Sequence, residues 1–198
     1  MEETNTNQLY SSGDAAERAW LAMIASGEQR ALLALYRRYQ RPLFGYILRL
    51  VRDQSLAEEV LQDVLVAIWQ RAASFSGRSR VSTWVFAIAH HQAVQALRRH
   101  ALLQVPPEEC EELGDVAQDA EHVTFTLALQ EDLEAALETL APIHREALEL
   151  VLANGFSYEE AATITDVPVG TVKSRINHAR RQMQRALVER GWREEASL

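Results

Sequence analysis

The chain has 198 residues, of which 20 are Lys or Arg and 28 are Asp or Glu, so its formal net charge is -8. Apolar residues make up 47% of the chain and charged residues 24%, which is typical of a folded globular protein and excludes a fully disordered one. No apolar run approaches the roughly 20 residues that a membrane-spanning helix needs, and the polar start, MEETNTNQLYSSGD, does not resemble a signal or transit peptide.

Nearly the whole chain is predicted to be helical, because glycine and proline are sparse and no segment alternates as a strand would. We expect disorder over residues 1–14, followed by a short helix over 15–25. A capping box of Ser26 and Gln29 is predicted to open the second helix. Pro42 should kink or interrupt that helix.

The third and fourth helices are predicted to flank a loop. Ser55 and Glu58 form a second capping box, and the helix after it has an apolar stripe of Ala57, Val60, Leu61, Val64, Leu65, Ile68, Trp69 and Ala72. The segment 74–82, SFSGRSRVS, is predicted to be a loop with two arginines. A fourth helix is expected from about residue 83 to 99.

Residues 104–126 are predicted to form a flexible acidic linker, because PPEECEELGDVAQDAE combines two prolines, a glycine and a run of acids. With its flanking residues, from Leu103 to Gln130, a flexible tether of about 27 residues averages roughly 30 Å end to end and reaches about 90 Å when stretched. The relative placement of the two flanking modules is therefore left open by the sequence.

The second module is predicted to be a series of short helices. An amphipathic helix is expected over 127–140, and Pro142 suits the first turn of a helix that ends at Ala153. Ser157 and Glu160 form a third capping box, which opens a short helix over 158–164. Pro168 is expected to start a final helix that reaches about residue 189.

The charge is divided unevenly along the chain. Residues 29–103 carry eleven arginines and four acids, whereas residues 104–142 carry eleven acids and no lysine or arginine. Residues 167–193 carry seven basic residues and one acid. Two basic modules separated by an acidic stretch indicate a polyanionic partner, although solvated helix faces have the same pattern. The acidic stretch is also expected to mask the basic module in the free protein.

The segment 155–183 has the pattern of a helix-turn-helix, in which the N-terminal part of the second helix enters the major groove. Its small core is expected to consist of Ile164, Val167, Val172 and Ile176. The outer face then holds Thr171, Lys173, Ser174, Arg175, Asn177, His178 and Arg181. Of these, the lysine, serine, asparagine and histidine are spaced to reach base edges, and the arginines suit phosphates. The alternative is a helical hairpin with a basic face and no DNA partner.

The segment GFSYEEAATITDVPVGTVKSRINHARRQM resembles region four of bacterial RNA polymerase sigma factors of the extracytoplasmic-function (ECF) group. LLALYRRYQRPLFGYILRLVRDQSLAEEVLQDVLVAIWQ and FSGRSRVSTWVFAIAHHQAVQALRRH look like region two of the same family. The resemblance implies an all-α fold of two helical domains joined by the flexible acidic linker. The implied division is a disordered start at 1–14, region two at 15–103, the linker at 104–126, region four at 127–190 and a tail at 191–198.

The resemblance also implies roles for particular residues. The helix over 57–69 would dock on the coiled coil of the polymerase β′ subunit, through the outward positions Glu58, Glu59, Gln62 and Asp63; otherwise these residues form a solvated helix face. The loop and the helix behind it would recognise and melt the minus-ten promoter element through Arg78, Arg80, Ser82, Thr83, Trp84, His90, His91, Arg98 and Arg99. The alternative for Trp84 is that its ring packs in the core and does not stack on a base. The family usually has Arg-Asn at the positions of His90 and His91.

The helix-turn-helix would then recognise the minus-thirty-five element and sit on the flap of the polymerase β subunit. Further implied partners are promoter DNA and a cognate anti-sigma factor, with a cytoplasmic location and no membrane insertion. Six histidines and one cysteine have no metal-ligand spacing, so we expect no metal, no cofactor and no enzymatic activity. Two other functions stay open at this point: a helix-turn-helix regulator that acts without polymerase, and a protein–protein adaptor built from helical hairpins.

Overall fold

The computed structural model describes residues 5–103 and 132–192, and for residues 5–12 and 103 it describes the backbone alone. These residues form helices without any strand, which confirms the predicted all-α fold. In chain order they are α1 (Asn5–Ala25), α2 (Gln29–Val51), α3 (Gln54–Arg71), a 3-10 turn (Ala72–Ser74), α4 (Val81–Leu103), α5 (132–138), α6 (Pro142–Leu148), a π-helical continuation (Glu149–Ala153), α7 (Tyr158–Thr165) and α8 (Val169–Glu189). None of the described helices is long and apolar enough to cross a membrane.

The first module, α1–α4, is a bundle whose core comes from one face of each helix. On α3, the predicted stripe is buried at Ala57, Val60, Val64 and Ile68, while Leu61 and Trp69 pack partly buried at its edge. Burial of each large apolar side chain stabilises the fold by about 1.5–3 kcal/mol. The periodicity of α3 therefore identified its buried face correctly.

The helix starts in the first module differ from those that the sequence predicts. Helix α1 begins at Asn5, so the prediction of disorder over 1–14 is wrong for residues 5–14, and residues 1–4 lie outside the described residues. The carboxylate of Glu28 caps α2 at the Arg30 N–H, while the Ser26 hydroxyl donates to a carbonyl in the preceding turn. Asp53 caps α3 at the Leu56 N–H, at 2.7 Å. The predictions of capping boxes at Ser26 and Ser55 are therefore wrong, because in each case a nearby carboxylate accepts the free N–H instead.

Helix α2 runs through Pro42 without interruption. A proline inside a helix costs about 3 kcal/mol, because it removes one hydrogen bond and crowds the preceding turn. Tyr39, Leu43, Tyr46 and Ile47 on either side of it are buried in the core. Burial of this face offsets the cost of the proline, and the predicted interruption is wrong for that reason.

The second module, α5–α8, contains the predicted helix-turn-helix. Both hydrogen bonds of the Ser157 and Glu160 capping box are present at the start of α7, and Asp166 takes a left-handed conformation (φ 52°) in the turn before α8. Ile164, Val172 and Ile176 are buried, and Val167 packs partly buried against them. The predicted segments 104–126 and 127–131 lie outside the described residues.

The two modules pack against each other through α4 and α7. At their centre the ring of Phe86 meets the ring of Phe156 edge to face, with 4.9 Å between the ring centroids. Tyr46 packs against the same Phe86, so the apolar core is continuous across the two modules. The relative placement that the sequence left open is thus a closed arrangement in the described residues.

Candidate nucleic-acid interface

The outer face of α8 presents the seven predicted residues together. Lys173, Ser174, Asn177, His178 and Arg181 are exposed, and the remaining two, Thr171 and Arg175, are half-buried. The buried positions of α8 form the opposite face of the helix, so the five exposed side chains point away from the core, whereas Arg175 lies at its edge with Nε buried. A surface helix with this set of basic and amide side chains can form hydrogen bonds to base edges and phosphates in a major groove.

His178 on α8 stacks on His144 of α6, with ring centroids 5.5 Å apart and planes 6° from parallel. Burial, aided by the charges of His178 and Arg175, lowers the pKa of His144 below its ordinary value. The stack fixes the ring of His178 on the outer face of α8. Spacing along the sequence did not single out His144, because its partner lies on another helix.

The loop of residues 75–80 and the first turn of α4 meet α7 of the second module. Arg80 Nε donates to Glu160 Oε1 and Arg80 Nη2 donates to Glu160 Oε2, and the Thr83 hydroxyl donates to Glu160 Oε1 at 3.0 Å. Burial alone would raise the pKa of Glu160, but the hydrogen bonds from Arg80, the Ser157 backbone and Thr83 hold it below its ordinary value. Glu160 therefore holds two of the residues that the sequence predicts to contact the minus-ten element.

Ser82 and Thr83 are 5% and 1% exposed, within the first turn of α4. The prediction that they are available on a loop is wrong, because α4 begins at Val81 rather than at residue 83. Arg78 remains exposed on the loop. Trp84 is half-buried against the core, with its ring 5.5 Å from that of Phe75, which is the core position that the sequence left as the alternative.

A second cluster of contacts joins α2 and α4 to the second module. His90 Nδ1 lies 2.7 Å from Glu146 Oε1, and the Tyr46 hydroxyl donates to the same oxygen at 2.7 Å. Burial and the charge of Glu146 raise the pKa of Tyr46 well above its ordinary value. His90, which is predicted to contact the minus-ten element, thus contacts a carboxylate of the other module.

Next to it, Arg49 Nε donates to Glu149 Oε1 at 2.6 Å. Burial raises the pKa of Glu149 to about 7, against the opposing effect of the Arg49 guanidinium. Glu146, Glu149 and Glu160 are hereafter called the interface carboxylates. The acidic linker, which is predicted from the sequence to mask the first module, lies outside the described residues; in the described part of the chain these three carboxylates contact the first module.

The remaining predicted minus-ten residues face solvent on the distal part of α4. His91, Arg98 and Arg99 are exposed. Arg99 also lies 3.4 Å from Asp63 and 3.7 Å from Glu59 on α3. The predicted DNA surface and the predicted polymerase surface are therefore adjacent.

The predicted polymerase surface lies on the outer face of α3. Glu58, Glu59 and Gln62 are exposed, and Asp63 is half-buried beside Arg99. Val66, one turn after Gln62, is 53% exposed and adds an apolar side chain to this face. Val66 is not among the residues predicted for this surface, because it lies between two positions of the apolar stripe, Leu65 and Ile68.

Comparisons with known proteins identify both modules. The family profile of sigma-70 region 2 matches residues 35–102, and that of sigma-70 region 4 matches residues 130–183. The RNA polymerase sigma-H factor of Pseudomonas aeruginosa is 33% identical over 173 residues, which cover 83% of this chain and 90% of the relative. The ECF RNA polymerase sigma factor SigK of Mycolicibacterium vanbaalenii is 26% identical over 175 residues, with 85% and 88% covered.

Two solved structures share the arrangement of helices. CnrH in complex with the cytosolic domain of CnrY matches with a TM-score of 0.63 at 24% identity, over 88% of this chain and 98% of that one. The sigma factor RpoE in complex with the anti-sigma factor NepR, from Bartonella quintana, matches with a TM-score of 0.57 at 27% identity, over 82% and 96%. With both regions in order and full-length relatives, the chain belongs to the bacterial RNA polymerase sigma factors, in their extracytoplasmic-function group.

Proposed function

We propose that this ECF sigma factor directs promoter-specific initiation through two surfaces and supplies no catalytic chemistry of its own. The outer face of α8 reads the minus-thirty-five element. Lys173, Ser174, Asn177 and His178 contact base edges there, while Thr171, Arg175 and Arg181 contact phosphates. The observation that carries this proposal is the exposure of one basic and amide face on the second helix of an intact helix-turn-helix.

The loop and α4 recognise and melt the minus-ten element in this proposal. Melted bases offer stacking faces and free edges, which basic and hydrogen-bonding side chains bind. Arg78, His91, Arg98 and Arg99 are already exposed to solvent. The further candidates Arg80, Thr83 and His90 are held by the interface carboxylates, so these three bind DNA only after the modules separate.

The spacing of the two promoter elements also requires that separation. The elements lie about 25 base pairs apart, which is about 85 Å of B-DNA. In the closed arrangement Arg80 of the first module contacts Glu160 of the second directly. A tether of about 27 residues reaches about 90 Å when stretched, so the chain between the modules is long enough for both to bind at once.

Core RNA polymerase binds the acidic face of α3 in this proposal, with the β′ coiled coil on Glu58, Glu59, Gln62 and Asp63 and also on the exposed Val66 of the same face. The second module sits on the β flap. An anti-sigma factor is a further proposed partner, since the related RpoE structure is a complex with one. The proposed site of action is the cytoplasm. The proposed domain division is a region two domain over 5–103, a linker over 104–126, a region four domain over 127–190 and a tail over 191–198.

Transcription in vitro with purified core polymerase tests the proposal. Core polymerase with the chain should initiate at a distinct set of promoters from genomic fragments, and core polymerase alone should not. If no promoter fires while the chain still binds duplex DNA, the chain is instead a helix-turn-helix regulator that acts without polymerase.

A further inference from the structure

Helix α1 holds the loop of residues 75–80 through one arginine. Arg18 Nη1 donates to the carbonyl of Gly77 at 3.1 Å, and Nη2 donates to the carbonyl of Ser79 at 3.0 Å. The same guanidinium lies 5.5 Å over the ring of Phe75. One rigid, planar fork therefore contacts three of the six loop residues, and a lysine does not reproduce that geometry.

Asp14, one turn before Arg18, connects α1 to the helix behind the loop. Its Oδ2 accepts from Arg18 Nε at 2.6 Å, and its Oδ1 accepts from the N–H of Val81, the first residue of α4, at 3.0 Å. Burial would raise the pKa of Asp14, but the hydrogen bonds from Val81 and Arg18 and the nearby charge of Arg80 hold it below its ordinary value. Asp14 thus acts as an N-cap for α4 although it belongs to another helix, α1.

The loop itself has little to fix its conformation locally. Its sequence is FSGRSR, and Gly77 has a positive φ of 72°. A Cβ atom at Gly77 would lie 2.8 Å from Arg18 Nη1, so the backbone and the guanidinium are in close approach. Ordering each such residue costs roughly 1–2 kcal/mol of backbone entropy. A contact that orders the loop in advance therefore removes that cost from DNA binding.

We propose that Asp14 and Arg18 are positioning residues that hold the loop and the first turn of α4 in the conformation that reads the minus-ten element. The inference rests on the proposed function of that loop. Neither residue is required to touch DNA. All of these contacts lie within the first module, so they persist when the modules separate, whereas the contact between Arg80 and Glu160 is lost.

Discrimination at the minus-ten element by the holoenzyme tests the inference. Core polymerase carrying the wild-type chain, Arg18→Ala, Arg18→Lys or Asp14→Asn is assayed on one mapped promoter and on its single-base minus-ten variants, with Arg30→Ala as a control that removes an exposed arginine of the same module. We expect initiation by Arg18→Ala to fall about 10-fold, equal to about 1.4 kcal/mol. The ratio between matched and substituted minus-ten sequences should shrink as well, while core binding changes less than about two-fold.

The conservative variants separate positioning from folding. Arg18→Lys keeps the charge and loses the fork, so we expect it to share the loss of discrimination, and Asp14→Asn should raise amide hydrogen exchange over residues 75–83. Unchanged discrimination in Arg18→Lys and Arg18→Ala overturns the inference, as does an equal loss in Arg30→Ala. If Arg18→Ala fails to fold, Arg18→Lys and Asp14→Asn decide the outcome alone. Failure of the wild-type holoenzyme on every promoter refutes the proposed function instead.

Discussion

Replacement of Glu160 by Gln should open the closed arrangement of the two modules. Glu160 accepts two hydrogen bonds from Arg80 and one from Thr83, and these contacts connect α7 to the loop and α4 of the first module. Its side chain also accepts from the Ser157 N–H within the capping box. Glutamine serves equally well at this capping position, so Glu160→Gln removes the charge and leaves the start of α7 intact.

The expected size of the effect follows from burial. Exposed ion pairs contribute up to about 1 kcal/mol and hydrogen bonds to charged groups about 1.5–3 kcal/mol. The side chains of Arg80 and Glu160 are 24% and 20% exposed, between those two limits. We therefore expect a loss of about 1–2 kcal/mol, which lowers the ratio of closed to separated molecules by about 5- to 30-fold.

Single-molecule energy transfer measures that ratio directly. Dyes at Leu33→Cys and Val188→Cys, both exposed and on different modules, report closed and separated molecules in a Cys110→Ser background. Glu159→Gln is the matched control, because this exposed neighbour has the same chemistry at the start of α7. Equal closed fractions for Glu160→Gln and Glu159→Gln would refute the role assigned to Glu160.

Three further predictions follow from the same contacts. Because the pKa of Glu149 is raised from 4.5 to about 7 in the closed form, its protonated form favours closure, so the contribution of Glu149 to the closed fraction should fall as the pH rises from 4.5 through 7; this decline in energy transfer should flatten in Glu149→Gln, while protonation of Glu160, whose pKa is lowered, opposes closure at lower pH. Asn177→Ala should lower the discrimination of the holoenzyme between the matched and substituted base at one minus-thirty-five position by about 5- to 150-fold. Arg181→Ala should weaken binding to all sequences and reduce the slope of log affinity against log salt concentration by about 1. Titrations with single-base promoter variants at two salt concentrations distinguish these results. Gln62→Lys on the acidic face of α3 should weaken core binding in a pull-down, while Ala73→Lys, which adds the same charge beyond the end of α3, should not, and equal losses would count against the polymerase surface.

Local signals in the sequence predicted the second module well. The capping box of Ser157 and Glu160 and the start set by Pro168 both depend on residues within one turn of each other. Helical periodicity also separated the buried face of α3 from the polar face at Gln62. Such features are readable from sequence because the interacting residues are three or four positions apart.

Contacts between distant residues could not be predicted in the same way. Tyr46 and Glu146 are 100 positions apart, and Asp14 and Val81 are 67 apart. The helical periodicity of apolar residues does not predict which acid on α6 or α7 contacts which basic residue on α2 or α4. The available signal was a pair of acids, Glu146 and Glu149, placed beside the buried Leu148 and Leu150, since acids on an apolar face require a partner.

Helix starts were predicted less well where several caps compete. Asp53 and Ser55 both precede α3, and the aspartate two residues earlier provides the cap. At α4 the cap is Asp14, which belongs to another helix. Sequence rules that consider one turn at a time do not detect a cap that arrives through the tertiary fold.

Photocrosslinking in the initiation complex tests the central claim most directly. A photoreactive residue is placed at Ser76 or at Arg180, both exposed and next to the predicted contacts of the loop and of α8, and the holoenzyme is assembled on one mapped promoter. The account predicts crosslinks from position 76 at the minus-ten element and from position 180 at the minus-thirty-five element, about 25 base pairs, or about 85 Å of B-DNA, upstream. Crosslinks from both positions to a single element, or a pattern that does not depend on core polymerase, would contradict it.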